Sequence, residues 1–298
     1  MEFRTLRYFI AIADAGSITT AADILHVTQP TLSVQMKELE EELGKKLFSR
    51  AKKGSRRLEL TEEGLILRRR ADEILEIVRK TELEISSEGG AVKGDVYIGM
   101  GEAGSLERII RIIDSIQAEH PGIRFHFYSG NAEDIEYRIG RGLLDFGIIF
   151  GRKASEGFSS LTINEKEVWG VLMRFDSPLA ALREIIPRNL MEKPLVISEQ
   201  AGFLHRLLKW AGSAFEKFQI TATYNLINNA SLMAKSGGKY VIGYGSIINT
   251  ENSALAFRPL SPEISDNLSI IWKGQPLTKA ATVFLDKMKE SFEEDSVC

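Results

Sequence analysis

Apolar residues recur at helical spacing in three successive short segments of the first 43 residues. The first segment stops at Gly16, a residue that tolerates the positive φ of a helix C-terminus. Ser17 or Thr19 is suited to begin the second segment, and Thr28 the third, whose Pro30 falls in the first turn where no N–H is needed. The pattern predicts three short helices, with a tight turn between the last two.

The predicted third helix has one apolar face and one polar face. Its apolar face follows the spacing of a single helical stripe and consists of Leu32, Met36, Leu39 and Leu43. Val34, Lys37 and Glu41 fall on the opposite face. In a helix-turn-helix, the N-terminal half of the second helix enters the DNA major groove. The side chains placed to contact DNA are Gln29, Thr31, Ser33, Val34 and Lys37.

A basic segment follows this helix directly. Residues 45–57 contain seven Lys or Arg residues and no acid, and Gly54-Ser55 is predicted to form a turn between two strand-like pieces. A positively charged hairpin next to a helix-turn-helix is typical of a wing that contacts phosphates. The alternatives are an amphipathic helical pair in an ordinary core and a solvated charged face. Because the two features are adjacent, we favour DNA binding.

The segment AADILHVTQPTLSVQMKELEEELGKKLFSR, followed by LTEEG, resembles the winged helix-turn-helix of LysR-type transcriptional regulators over about residues 3–64. We therefore expect a DNA-binding domain over residues 1–60. The resemblance places on the recognition element Gln29, Pro30, Thr31, Ser33, Val34 and Lys37, and in or near the wing Arg50, Lys52 and Lys53. Val34 departs from the polar or basic residue often found at that position, which affects the expected operator preference.

A long helix is predicted after Thr61, which is suited to cap it, with Glu62 and Glu63 near its positive end. Spacings of four and three residues alternate along one narrow stripe, as in a coiled coil. The stripe consists of Leu67, Ala71, Ile74, Val78, Thr81 and Ile85. We expect a linker and dimerisation helix over residues 61–88, as the resemblance also implies; the alternative is a helix packed on its own domain. The Gly- and Ser-rich segment 86–94 is predicted to be a hinge.

Strand-like and helix-like segments alternate from Gly94 to the end of the chain. Such alternation predicts βαβ units and a largely parallel sheet. The length fits two sheets with a cleft between them, in an effector domain over residues 92–298. Lobe I is expected at about 94–163 and 266–298, and lobe II at about 164–265. The predicted fold class is thus α plus α/β, with a winged helix-turn-helix, a linker helix and a two-lobed α/β domain.

The turn from Gly99 to Gly104 has the spacing G-x-G-x-x-G, between a predicted strand and a predicted helix. A dinucleotide site also needs an acid at the end of the second strand, which here ends at Ser129-Gly130. Glu133 comes too late. A NAD(H)-binding redox-sensing regulator or oxidoreductase is therefore the less favoured alternative. We expect instead that backbone N–H groups near Ser105 face a small anion.

This second region resembles the periplasmic-binding-protein-like effector domain of LysR-type regulators in YIG, HPGI and GLLDFGI. The resemblance implies an effector site between the lobes that contains Gly101, Glu102, Ser105, Ser129, Gly130, Ser198, Glu199, Gln200 and Phe203. Glu102 and Glu199 suggest an effector with an amine or several N–H donors, or else merely favour helix N-termini. His205 and Arg206 would equally suit an acid, so the charge of the effector stays open.

The composition mainly excludes kinds of site and classes of protein. A net charge of −3 means that any basic surface is local, and a single cysteine rules out an internal disulfide framework. We predict no metal site, because the four histidines lack ligand spacing, and no cofactor or enzyme activity, because neither a nucleophile elbow nor a Walker loop is present. The first apolar run is short and ends at Asp14, so we predict no signal peptide and no membrane span. The sequence predicts a cytoplasmic, non-enzymatic transcription factor that binds double-stranded, pseudo-palindromic DNA and a small-molecule effector. It is expected to form a homodimer, and the resemblance implies a homotetramer.

Overall fold

The computed structural model describes residues 1–50, 57–85, 92–151, 154–246, 248–274 and 277–293. The chain divides into two compact units, Met1–Ser86 and Ser87–Cys298. The predicted hinge at 86–94 falls largely outside the described residues, and so does the predicted turn of the wing.

The first unit contains four helices and a small antiparallel hairpin in its described part. Its elements are α1 (Phe3–Ala15), α2 (Ile18–Leu25), α3 (Gln29–Leu43), β1 (Phe48–Arg50), β2 (Leu58–Leu60) and α4 (Glu62–Ile85). Strands β1 and β2 pair with Phe48 opposite Leu60. This order of three short helices, hairpin and long helix is the predicted winged helix-turn-helix followed by a linker helix.

Local hydrogen bonds set the helix ends where the sequence predicted them. Gly16 ends α1 with a φ of 61°, a conformation that glycine adopts without steric strain. The Ser17 hydroxyl accepts from the Thr20 backbone N–H, so Ser17 rather than Thr19 caps α2. Thr28 caps α3 by accepting from the Thr31 N–H. These caps satisfy backbone donors that a helix cannot satisfy itself.

The core of the first unit includes Leu6, Phe9, Leu32 and Leu39, all nearly inaccessible to solvent. Leu43, predicted on the same buried stripe of α3, is 41% exposed. The prediction fails because α3 ends there and Gly44 turns the chain with a φ of 65°. The leucine that fills the core after this turn is Leu47.

Helix α4 carries the apolar stripe for which the sequence left two packings open, a dimer seam and a contact within its own domain. Ala71 is fully buried in the core of the first unit, and Leu67 and Ile74 pack against that core. The first half of the predicted dimer seam therefore packs within its own unit, because α4 lies against α1. Thr81 and Ile85, at the end of the seam, are exposed.

The Glu40 side chain connects α3 to the start of the hairpin by hydrogen bonds. Its carboxylate accepts from the backbone N–H of Leu47 (2.9 Å) and of Phe48 (3.4 Å), and from the Lys46 ammonium (2.6 Å). Burial alone would raise the pKa of Glu40, but these hydrogen bonds outweigh it and hold the pKa below its ordinary value. Ionised Glu40 thus stabilises the fold.

We expect Glu40→Ala to destabilise the first unit by about 1–3 kcal/mol at neutral pH, because two N–H groups lose their acceptor. Since the folded pKa is lowered, this stabilisation is present above the ordinary glutamate pKa and is lost as the pH falls through the folded value. Urea unfolding followed by circular dichroism would measure it. The exposed neighbour Glu41 supplies the control Glu41→Ala; equal midpoints for the two variants would contradict the assignment, as would a difference independent of pH.

The second unit alternates strands and helices as predicted, with additional short elements. Its strands are β3 (Lys93–Met100), β4 (Gly122–Ser129), β5 (Phe146–Phe150), β6 (Phe158–Arg174), β7 (Pro194–Ser198), β8 (Gln219–Tyr224), β9 (Tyr240–Tyr244), β10 (Leu255–Pro259) and β11 (Ser265–Lys273). Its helices are α5 (Leu106–Glu119), α6 (Ala132–Gly140), α7 (Pro187–Leu190), α8 (Ala201–Ala211), α9 (Ile227–Gly237) and α10 (Lys279–Glu293). Two 3₁₀ turns lie at Pro178–Ala181 and Gly212–Lys217.

The sheet of the second unit is mixed rather than largely parallel. Its order is β4-β3-β5-β11-β6-β9-β7-β8, with β10 also paired to β6. The two outer groups, β4-β3-β5 and β9-β7-β8, are parallel. Between them, β11 and β6 run antiparallel to each other and to their neighbours, because the chain passes from one lobe to the other along them.

Strand β6 belongs to both lobes. Residues 158–168 pair with β11, whereas Trp169 to Leu172 pair with β9. The predicted boundary between Ile163 and Asn164 falls inside this strand, and the change of partner occurs near Val168. Each lobe has its own core, around Phe146 and Phe284 in lobe I and around Trp169 in lobe II.

Candidate functional site

The first candidate site is the outward face of α3. Gln29, Pro30, Thr31, Val34 and Lys37 are exposed, while Ser33 is half-buried. Leu32, Met36 and Leu39 pack into the core on the other side. The predicted DNA-contacting side chains of this helix therefore share one accessible surface, since one helix face is used for packing and the other is left open.

Several polar side chains on this face bond to one another. The Gln29 amide donates to the Ser33 hydroxyl (2.6 Å), and the Thr28 and Thr31 hydroxyls lie 2.8 Å apart. The Lys37 ammonium is 3.4 Å from the Glu41 carboxylate, an exposed pair. Of the predicted wing residues, Arg50 has its backbone in β1, but its side chain lies outside the described residues, as do Lys52 and Lys53.

The second candidate site is a cavity of about 310 Å³ between the two lobes of the second unit. It lies at the carboxyl ends of the parallel strands, where open α/β sheets place ligands. Predicted residues that line it are Gly101, Glu102, Gly130, Ser198, Gln200 and Phe203. The other predicted residues, Ser105, Ser129 and Glu199, are not among its lining residues.

An ion pair between a partly buried arginine and a buried aspartate lies in the lining of the cavity. Asp266, 4% exposed, forms a salt bridge with Arg206. The same carboxylate accepts from the Trp169 indole N–H and from the Tyr244 hydroxyl, both at 2.6 Å. Arg206 also donates to the Ser265 carbonyl at 2.9 Å. These groups come from four separate elements, and the sequence marked only Arg206 as a candidate.

Aromatic rings form one wall of the cavity. Trp169 stacks on Phe203, with ring centroids 4.0 Å apart and planes 11° apart. Tyr244 lies edge-on to Trp169 and close to Phe150. Burial raises the pKa of the Tyr244 hydroxyl well above its ordinary value, and does the same for Tyr224. Both phenols therefore remain protonated hydrogen-bond donors at neutral pH.

Glu102 links the two lobes. Its carboxylate accepts from the backbone N–H of Asn228 at 3.2 Å, in the first turn of α9. A negative charge at that helix N-terminus is favourable. Glu102 thus acts on a helix N-terminus, one of the two roles that the sequence suggested, and that helix belongs to the opposite lobe.

The glycine-rich turn is occupied by the protein's own groups. The backbone N–H of Gly104 donates to the Ser246 hydroxyl, and that of Ser105 donates to the buried Glu167 carboxylate at 2.7 Å. The N–H groups of Leu106 and Glu107 bond to carbonyls of the same turn. The anion at this helix start is therefore Glu167, in place of the small external anion that the sequence suggested. A dinucleotide pyrophosphate would have to displace it, which disfavours the NAD(H) alternative.

No group of three His, Cys, Asp or Glu side chains is arranged to hold a metal ion among the described residues. In the same residues, no helix combines the length and apolar character needed to cross a membrane.

Both units match known family models. Residues 3–65 match the bacterial regulatory helix-turn-helix protein model of the lysR family. Residues 89–293 match the LysR substrate binding domain, which covers more than half of the chain. This chain belongs to the LysR family. It is a LysR-type transcriptional regulator, with a DNA-binding unit and an effector-binding unit, and the family is one of regulators rather than enzymes.

Curated relatives of this LysR-type chain include two nitrogen assimilation regulatory proteins named nac. The protein from Klebsiella aerogenes is 29% identical over 252 residues, covering 82% of this chain and 81% of that protein. The Escherichia coli protein is 31% identical over 170 residues, covering 57% of this chain and 55% of that protein. The second match thus spans little more than half of the relative's length.

The fold is also that of a solved LysR-type structure. Full-length CbnR, crystallised with its target DNA, matches with a TM-score of 0.78 and 20% sequence identity. The match covers 98% of this chain and 100% of that one. At this identity the likeness establishes the fold of the present LysR-type chain.

Proposed function

We propose that this LysR-type regulator binds a pseudo-palindromic DNA site through α3 and the basic hairpin, as a homodimer or homotetramer, and senses a small metabolite in the interlobe cavity. The observation that supports effector sensing is the cavity itself, because its lining residues come from both lobes. We retain 1–60, 61–88 and 92–298 as the functional regions, with the linker helix for dimerisation. Because its target is DNA, we place the protein in the cytoplasm.

The size and lining of the cavity limit the effector. A volume of about 310 Å³ lies at the lower end of small-molecule sites, which favours a small metabolite. Arg206 is paired with Asp266, and Glu102 with the N-terminus of α9. Both charged side chains thus already have protein partners. We infer that the aromatic wall and neutral polar groups such as Gln200 and Asn225 supply much of the recognition.

Regulation follows from the position of the cavity. A ligand that contacts both lobes binds one lobe arrangement better than another and shifts the equilibrium toward it. The hydrogen bond between Glu102 and Asn228 also joins the two lobes. The lobe arrangement that keeps this bond is therefore stabilised by it. In an oligomer, such a shift would change the spacing of the DNA-binding units along the operator.

The first experiment is fluorescence anisotropy with promoter-region DNA and scrambled DNA across a salt series. We expect tighter binding to the promoter DNA and a steep salt dependence. Failure to bind DNA at low salt would contradict the proposed function. The same assay, repeated with a library of small metabolites, identifies the effector by its change in DNA affinity.

We expect Phe203→Ala to weaken binding of the identified effector by about tenfold, because the stack on Trp169 and part of the aromatic wall are lost. Tryptophan fluorescence titration measures this affinity. The neighbouring Leu204 is exposed and does not line the cavity, so Leu204→Ala is the control. Equal effector affinity in both variants would show that the effector binds elsewhere.

A further inference from the structure

Val34 is an apolar side chain at the centre of the DNA-facing surface of α3. It is 52% exposed and is not part of the core cluster of the first unit. Pro30 lies one helical turn before it and is also exposed. At 100° per residue, the two side chains lie close together on the face opposite Leu32, Met36 and Leu39. They form a short apolar strip on an otherwise polar surface.

The first two turns of α3 carry no charged side chain. No charged residue occurs between Thr28 and Met36. Gln29 donates its amide to Ser33, and Thr28 bonds to Thr31, so these polar side chains hold one another in place. The first charged residue along the helix, Lys37, lies one turn further on and has Glu41 beside it.

The groups that each base presents in the major groove indicate which base the exposed side chains of α3 can recognise. Guanine is recognised mainly by Arg or Lys, and adenine by the amide of Asn or Gln. Thymine alone among the four bases presents a methyl group there, and apolar side chains contact it. The first two turns of α3 offer no cation for guanine, whereas Val34 offers methyl groups at an exposed position.

We propose that Val34 contacts the 5-methyl group of a thymine in each half-site, and that this contact sets the base preference at that position. The inference rests on the proposed binding of DNA by α3. It specifies the partner chemistry further: a pyrimidine that carries a 5-methyl group, either thymine or 5-methylcytosine.

Deoxyuridine differs from thymidine only in that methyl group, so it tests the contact directly. Each thymine of the bound promoter duplex is replaced in turn by uracil, and affinity is measured by anisotropy. We expect one position per half-site at which uracil weakens binding of the unaltered protein about fourfold, the factor for one buried methyl group. The Val34→Ala variant should bind the uracil and thymine duplexes equally well at that position.

Two controls keep the result specific. Ile24, exposed on α2, supplies Ile24→Ala, which should retain the uracil effect. With cytosine at the sensitive position, 5-methylation should recover about the same fourfold factor. The inference is overturned if no uracil substitution weakens specific binding, if the loss persists in Val34→Ala, or if 5-methylcytosine gives no gain over cytosine. If the unaltered protein does not bind the promoter duplex at all, the proposed function itself is rejected.

Discussion

Replacing Arg50, Lys52 and Lys53 together by alanine is expected to weaken DNA binding on the order of a hundredfold near physiological salt. These three residues belong to the basic run beside the recognition helix. Each phosphate contact releases counterions and contributes about 0.9 to the slope of log affinity against log salt. Three lost contacts per subunit should lower that slope by about 2.7 per subunit. Anisotropy across a salt series measures both quantities.

The matched control removes three positive charges from the other unit. Arg183, Lys209 and Lys279 are exposed, so their triple alanine variant has the same net charge as the hairpin variant. It should bind DNA with nearly unchanged affinity and salt slope. An equal loss in both variants would show that only net charge matters, and an unchanged slope in the hairpin variant would contradict the role of the wing.

Asp266→Ala is expected to destabilise the second unit by about 3–5 kcal/mol. The substitution leaves the Arg206 guanidinium partly buried without its counter-charge, and removes the acceptor of Trp169 and Tyr244. Breaking a buried ion pair from one side has a cost of this size. For a unit of this length, the melting temperature should fall by roughly 6–20 °C.

Tryptophan fluorescence follows this unit selectively. The protein has three tryptophans, and Trp169, Trp210 and Trp272 all lie in the second unit. Glu263, an exposed acid three residues before Asp266, supplies the control Glu263→Ala. Adding Arg206→Met to Asp266→Ala should recover part of the stability, because no unpaired charge remains. Melting of Asp266→Ala at the temperature of the Glu263 control would refute the proposed importance of the pair.

The first unit was predicted well because its determinants are local. The Ser17 and Thr28 caps and the left-handed residue at Gly16 each act within a few positions of the chain. For α4 the sequence left two packings open. Leu67 and Ala71 satisfy a dimer seam and an internal contact equally well, and only the position of α1 decides between them.

The second unit was predicted less completely. The alternation of strands and helices was predicted, but the antiparallel pairing of the central strands β6 and β11 was not. Residues 158–166 of β6 are rich in Ser, Thr, Asn, Glu and Lys and are largely exposed or half-buried, so their sequence lacks a buried apolar run. Their strand conformation depends on pairing with β11, which lies about a hundred residues later.

The sequence by itself determined the winged helix-turn-helix, the two-part organisation and six of the cavity-lining residues, because helix caps, apolar periodicity and family motifs are continuous along the chain. Only the tertiary structure brought together Arg206, Asp266, Trp169 and Tyr244, and placed Glu102 against α9 and Glu167 against the start of α5. These contacts join residues distant in sequence, and no local pattern along the chain indicates them, because the partners meet only when the strands and helices pack together.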